Sequence, residues 1–88
     1  MKRIIFHRTF DKHYIKRIKP SPKLVKQFEE RYKLFLAGER GYPLDDHPLT
    51  KKLVGKRAFS VAGDKRVIYT ETEVEIVFLD VGTHNQVY

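Results

Sequence analysis

Five polar residues in the second half of the chain are of types that carry out acid–base chemistry: His47, Asp64, Arg66, His84 and Tyr88. Histidine is the commonest general acid or base because its charge changes near neutral pH, and a carboxylate can share that role. An arginine can stabilise negative charge that develops on a phosphate. The set suits cleavage of a phosphodiester, in which one group takes the proton of an attacking 2′-hydroxyl and another protonates the leaving 5′-oxygen. The alternative for His84 and Tyr88 is a surface histidine followed by an aromatic residue that closes the core.

Several other kinds of site are disfavoured by the sequence. The two candidate histidines are far apart in the chain and there is no cysteine, so a zinc site is a weak alternative and disulfides are excluded. The chain also lacks a glycine-rich phosphate loop, a nucleophile elbow and a paired-acid signature. The sequence therefore predicts chemistry without a metal ion or cofactor, and we expect His7 and His13 to be structural.

The candidate residues lie at the ends of predicted β-strands. In the second half of the chain apolar and polar residues alternate, which predicts a meander of three strands. These strands cover residues 57–61, 66–70 and 74–79. Gly82 is expected to turn the chain where the last strand ends, so that His84 and Tyr88 follow in a loop. Residues 39–53, which include His47, are also expected to form a loop.

The first half of the chain predicts one strand and two helices. A β-branched and aromatic run at residues 3–7 indicates the strand. Thr9 and Ser21 are expected to cap the two helices, and Gly38 to end the second. The sequence therefore predicts a single α+β domain over residues 1–88, with a two-helix hairpin packed on a twisted, mainly antiparallel sheet of about four strands. The expected core comprises Phe28, Tyr32, Phe35, Val67, Tyr69, Ile76 and Phe78.

The chain is strongly basic, with a net charge of +7. Residues 1–38 hold eleven Lys and Arg against three acidic residues, whereas residues 39–88 hold seven against eight. Two basic regions favour a polyanion that runs across the molecule, and the alternative is a basic surface with no partner. The predicted contacts to such a polyanion are Lys51, Lys52, Lys56, Arg57 and Lys65 beside the candidate site, and Lys12 and Lys16 on the helices. The apolar run at residues 4–6 is too short for a signal peptide or a membrane span, so we expect a cytoplasmic protein with no membrane partner.

Four short motifs, in the same order and register, resemble the RelE/ParE toxin superfamily. They are Asp46-His47-Pro48-Leu49, Gly55-Lys56-Arg57, the run from Gly63 to Tyr69, and Gly82-Thr83-His84 with a closing aromatic residue. The first and the last of these motifs are similar to the YafQ-like branch of the superfamily. The resemblance covers nearly all of residues 45–88, and the predicted helical hairpin fits the same fold.

The resemblance implies the toxin of a type II toxin–antitoxin pair. Such a toxin is an mRNA interferase, an endoribonuclease that cleaves mRNA at the ribosomal A site, and a tightly bound antitoxin silences it. The matching positions imply acid–base roles for His47, Asp64 and His84. They also imply that Arg66 stabilises the phosphate and that Tyr88 is the C-terminal aromatic residue of the branch.

Two positions depart from the pattern of the branch. Ser60 stands where the branch has another catalytic histidine, and Lys65 stands where it has an aromatic residue. Ser60 cannot titrate, so the acid–base chemistry must depend on the remaining candidates. Two alternatives stay open: a gyrase-poisoning toxin of the ParE-like branch, and an RNA-binding protein of the same fold with weakened catalysis.

Overall fold

The computed structural model, which describes residues 2–88, contains a five-stranded β-sheet with two helices packed on one face. The strands are β1 (Arg3–Phe6), β2 (His47–Pro48), β3 (Arg57–Ala62), β4 (Lys65–Glu71) and β5 (Glu75–Thr83), and the helices are α1 (Arg8–Arg17), α2 (Pro22–Leu36) and the single-turn α3 (His84–Val87). The strand order is β1-β5-β4-β3-β2; β1 and β5 pair in parallel, and the other three pairs are antiparallel. The predicted α+β fold is confirmed, with one strand more than the four expected.

The ends of the helices follow from local side-chain chemistry. α1 begins two residues earlier than predicted, because Nδ1 of His7 accepts a hydrogen bond from the backbone N–H of Thr9 at 3.0 Å. His7 is therefore the N-cap, and the assignment of that role to Thr9 was wrong. The prediction for α2 is confirmed, since Oγ of Ser21 accepts from the N–H of Leu24 at 3.2 Å. Beyond the last turn of α2, Gly38 has a φ of +91°, a backbone conformation that favours glycine after a helix.

The main core lies between the sheet and the pair α1 and α2. Alternate residues of a strand face opposite sides of a sheet, and the helix side carries the rings of Phe59, Tyr69 and Phe78. The ring of Phe35 lies against them, with its centroid 4.8 Å from that of Phe59. All residues of the predicted core are buried except Tyr32, which is half-buried beside the core. On the opposite face a smaller apolar cluster packs under α3; its members are Leu49, Ala58, Ile68, Leu53, Leu79 and Val87.

The end of the last strand differs from the prediction. β5 continues to Thr83 although the charged Asp80 interrupts its apolar pattern, because Nδ1 of His13 lies 2.5 Å from the Asp80 carboxylate and Arg17 lies 3.6 Å from it. Gly82 does not turn the chain, as had been expected, but is buried within β5 opposite Arg66. The turn to α3 comes after Gly82, at Thr83.

The loop predicted over residues 39–53 contains two short ordered elements. His47 and Pro48 form β2, where the missing N–H of proline is tolerated because the strand lies at the edge of the sheet. A single 3₁₀ turn follows at Lys51–Leu53. In the part of the chain that the structure describes, residues 2–88, no helix is long and apolar enough to cross a membrane.

Candidate active site

A cleft of about 690 Å³ lies on the face of the sheet opposite α1 and α2. One wall is the segment from His47 to Leu53, and the other is formed by His84 and Tyr88. The lining also includes Lys51 and Lys52. The fold therefore brings two histidines, a tyrosine and two lysines from distant parts of the sequence to one concave surface. Clefts of this size with a few convergent polar groups are the usual form of a binding or catalytic site.

The ring of His47 is oriented by a backbone contact. Its Nδ1 lies 2.9 Å from the carbonyl oxygen of Asp45. A carbonyl oxygen can only accept a hydrogen bond, so Nδ1 carries the proton. In the neutral ring Nε2 then holds the free lone pair, which makes it the nitrogen that can accept a proton from a substrate.

His84 is the first residue of α3, and its position is fixed by the cap of that short helix. The side chain of Thr83 accepts from the N–H of Gln86, and Oε1 of Gln86 accepts from the N–H of Thr83 at 2.8 Å. The rings of His84 and Tyr88 meet edge to face with their centroids 4.2 Å apart. Burial raises the pKa of the Tyr88 hydroxyl, and the positive charge of Arg66 opposes this shift. Tyr88 is nevertheless 43% exposed, so one side of its ring is open to the cleft and solvent.

Arg66 and Ser60 lie beside this cleft on neighbouring strands. Ser60 is paired with Arg66 between β3 and β4, and Arg66 is paired with Gly82 between β4 and β5. By strand alternation both side chains project from the same face as Ala58 and Ile68, which is the cleft side. Arg66 donates from Nη1 to the carbonyl oxygen of Gly63 at 2.7 Å. Ser60 thus stands one strand away from the candidate arginine.

The remaining predicted residues lie outside the cleft lining. Asp64 is exposed in the turn between β3 and β4, with its carboxylate 3.8 Å from Nζ of Lys65. Lys12 and Lys16 are exposed on α1, on the helix side of the sheet. Lys56 precedes β3 and is half-buried. Of the predicted basic residues, Lys51 and Lys52 therefore line the cleft, whereas Lys12 and Lys16 lie on the helix side. Asp64 is in the hairpin turn and Lys65 is the first residue of β4.

Arg57, which the sequence predicted to contact a polyanion, is bound to a buried carboxylate that sequence analysis missed. Its Nε and Nη2 lie 2.7 Å and 2.6 Å from Oδ1 of Asp46. The hydroxyl of Tyr69 donates a short hydrogen bond to the other oxygen of Asp46. The hydrogen bond to Asp46 raises the pKa of Arg57, and burial followed by the bond to Asp46 raises the pKa of Tyr69. The one signal in the sequence was the position of Asp46 directly before His47.

The acidic and histidine side chains do not gather into a metal-binding group in the part of the molecule that is described. Among residues 2–88, no three side chains of His, Asp or Glu lie close enough together to hold a metal ion. The cleft histidines approach a tyrosine and lysines, which are poor partners for a cation. The polar groups of the cleft are instead of the kinds that exchange protons and bind anions.

Comparison with known proteins gives the family. The model of a family described as "Bacterial toxin of type II toxin-antitoxin system, YafQ" matches residues 2–88. No curated protein gives a significant match. The crystal structure of YafQ from Escherichia coli BL21(DE3) is similar with a TM-score of 0.80 and 22% identity, covering 100% of this chain and 99% of that chain. YafQ in the E. coli DinJ–YafQ complex gives a TM-score of 0.82 and 23% identity over 100% and 99%.

A further similar structure is a metal-bound toxin from Helicobacter pylori, with a TM-score of 0.80 and 22% identity over the full length of both chains. These likenesses confirm that the fold is that of the YafQ-like toxins, as the four sequence motifs had indicated. The family model spans nearly the whole chain. This protein therefore belongs to the YafQ family of bacterial toxins of type II toxin–antitoxin systems.

Proposed function

We propose that this protein is an mRNA interferase, an endoribonuclease that cleaves mRNA on the ribosome without a metal ion. The observation that carries the proposal is the meeting of His47 and His84 in one cleft, beside Tyr88 and two lysines. Two imidazoles at one site can divide the two proton transfers of phosphodiester cleavage between them. Membership of a toxin family supports the same function.

In the proposed mechanism the 2′-hydroxyl of one nucleotide attacks the adjacent phosphorus in line, and the bond to the 5′-oxygen breaks. Nε2 of His47 takes the 2′-hydroxyl proton, because Nδ1 is committed to the Asp45 carbonyl oxygen. Protonated His84 gives its proton to the departing 5′-oxygen. Arg66 stabilises the charge of the phosphorane. The products are a 2′,3′-cyclic phosphate and a 5′-hydroxyl, and the step leaves His47 protonated and His84 neutral.

The basic residues would hold the RNA in two places. Lys51 and Lys52 line the cleft and neutralise phosphates beside the scissile bond. Lys12 and Lys16, on the helix side, contact ribosomal RNA farther away. Phosphate contacts release counterions, so binding weakens as salt rises, by about 0.7 in log–log slope for each contact on a single strand. Asp64 and Lys65, in the neighbouring hairpin, are placed to contact the flanking nucleotides.

The proposed partner outside the ribosome is a cognate antitoxin. E. coli YafQ has been crystallised in complex with DinJ, and the net charge of +7 on this chain favours an acidic segment on the antitoxin. We propose that the 88 residues act as a single toxin domain in the cytoplasm, where ribosomes and mRNA are found.

The proposal is tested by inducing the protein in cells and mapping new 5′ ends on translated messages. The wild type should stop growth and produce new ends within coding sequences. The change His84→Ala should lower the cleavage rate by roughly 10²–10⁴-fold, the scale for a lost acid–base group. The matched control is His7→Ser, which removes an exposed histidine outside the cleft lining but keeps a side chain able to cap α1.

The outcomes separate the alternatives. Growth arrest without new mRNA ends would contradict the ribonuclease proposal and favour a toxin that acts on a protein such as gyrase. Full toxicity of folded His84→Ala would contradict the acid–base assignment. Loss of toxicity in His7→Ser as well would show that the effect does not come from the cleft.

A further inference from the structure

The carboxylate of Asp46 lies on the opposite side of the sheet from the cleft, directly behind His47. Neighbouring residues in extended backbone face opposite sides of a sheet. His47 lines the cleft, whereas Asp46 reaches Arg57 and Tyr69, which are paired with each other on the helix side. The candidate proton acceptor His47 and the buried carboxylate of Asp46 therefore project from opposite sides of one short segment.

The Asp46 side chain is completely buried, and each of its oxygens has a partner. Arg57 donates a hydrogen bond from Nε to Oδ1 and places Nη2 2.6 Å from the same oxygen, and Tyr69 donates a hydrogen bond to Oδ2. Nε of Arg40 lies 3.9 Å from Oδ2, and its guanidinium stacks over the Phe35 ring at 4.1 Å. A buried carboxylate is costly unless it is paired and hydrogen-bonded in this way. Arg57 and Tyr69 belong to the inner strands β3 and β4, so they tie Asp46 to the middle of the sheet beside the main core.

The segment that carries His47 makes few backbone contacts of its own, although Leu44 and Leu49 on either side of it are buried. β2 is two residues long and lies at the edge of the sheet, and Pro48 has no N–H to donate. Two backbone hydrogen bonds flank β2. The N–H of Asp46 donates to the Arg40 carbonyl oxygen at 2.8 Å, and the N–H of Leu49 donates to the Lys56 carbonyl oxygen at 2.9 Å. A strand this short is marginal by backbone pairing alone.

We propose that Asp46 is a positioning residue for His47. Held by Arg57 and Tyr69, it fixes the Asp45–His47 backbone, so that the Asp45 carbonyl meets Nδ1 and Nε2 stays available to the substrate. The inference rests on the proposed function in one respect, which is the role of His47 as proton acceptor. In this proposal Arg57 holds Asp46 on the side of the sheet opposite the cleft.

The catalytic test is a double-mutant cycle. Asp46→Asn removes the charge but keeps the shape, and it should lower kcat by about 10²-fold with little change in KM, since a displacement of about 1 Å can cost that much. In a His47→Ala background the same change should cost about threefold or less, because residues that act as a unit are not additive. The control Glu75→Gln makes the same change in another Arg–carboxylate pair, with Arg3 at the far edge of the sheet, and should leave kcat unchanged. An equal loss from Asp46→Asn in both backgrounds would overturn the proposal.

A second measurement does not depend on catalysis. Nitrogen NMR of the imidazole rings should find His47 in the Nδ1-protonated form in the wild type and in a mixture of tautomers in Asp46→Asn. Tyr69→Phe, which removes one bond to Asp46, should give a smaller shift in the same direction, and it serves where Asp46→Asn does not fold. A single unchanged tautomer in folded variants would overturn the positioning role even in a protein with full ribonuclease activity. If the wild type has no ribonuclease activity, the proposed function fails, while the tautomer measurement still decides whether Asp46 orients His47.

Discussion

Of the five glycines, Gly82 is the one where an added methyl group would meet neighbouring atoms. A Cβ at this buried residue would lie 2.6 Å from Nη1 of Arg17 and 2.7 Å from Oε1 of Gln86, closer than carbon atoms approach either group. Nη1 of Arg17 donates to the Val81 carbonyl oxygen at 2.9 Å, and Oε1 of Gln86 accepts from the N–H of Thr83. In Gly82→Ala both side chains must move, and both hydrogen bonds are lost or weakened.

The expected loss of stability follows from these two bonds. A bond from a charged donor contributes about 1.5–3 kcal/mol and a neutral one about 1 kcal/mol to the free energy of unfolding. Alanine returns about 0.5–1 kcal/mol by restricting the unfolded chain more than glycine does. The net destabilisation is therefore about 2 kcal/mol, which lowers the melting temperature of a domain of this size by roughly 8–16 °C.

The assay is urea or thermal unfolding of Gly82→Ala together with its cleavage rate. Since the Gln86 bond caps the helix that begins at His84, the folded variant should also lose activity. Gly41→Ala is the control, because Gly41 is exposed and has open space around its Cβ position. In a Gln86→Ala background the cost of Gly82→Ala should fall by about 1 kcal/mol, the share of the lost neutral bond. A Gly82→Ala protein as stable as the wild type would refute the packing argument.

Two further variants test the cleft and the buried network. Ser60→His places an imidazole on the cleft side beside Arg66 and should raise the mRNA cleavage rate by about tenfold or more; no gain in a folded variant would mean that the side chain does not reach the substrate. Tyr69→Phe should reduce the loss of stability at alkaline pH. The pKa of Tyr69 is raised above its usual 10.0, so the folded state holds this proton more tightly than the unfolded chain. The resulting stabilisation is fully present below pH 10 and is lost as the pH rises further. The free energy of unfolding should fall less between pH values below and above 10 in Tyr69→Phe than in the wild type. An equal fall in both proteins would contradict the raised pKa of Tyr69.

The spacing of apolar residues in the sequence was enough to predict the long helices and strands but not the short ones. The apolar stripe of α2 and the alternation in β3 and β4 report burial directly, so these elements and their core residues could be predicted. β2 could not, because a two-residue strand has no period of its own and is defined by its pairing with β3. The end of β5 was misjudged because Asp80 breaks the apolar pattern, and its carboxylate is contacted by His13 and Arg17 from a helix distant in sequence.

The same distinction applies to the candidate site. Residue types and motifs were enough to select His47, His84 and Tyr88, which the fold does bring to one cleft. The catalytic roles of these residues remain proposals that the variants above address. The sequence could not show that Arg57 is held by Asp46, because an arginine that alternates with apolar residues looks the same whether it contacts RNA or a buried carboxylate.

Both cleft histidines follow segments that make contacts with the main part of the fold. His47 follows Asp46, whose carboxylate is held in the helix-side network. His84 follows the end of β5, where Arg17 reaches from α1 to the Val81 carbonyl oxygen beside Gly82. A β2 of two residues and an α3 of four cannot orient a side chain by their own backbone bonds, because elements this short are marginal in water. The large core lies on the helix side of the sheet, and the opposite side carries the cleft that is lined by His47 and His84.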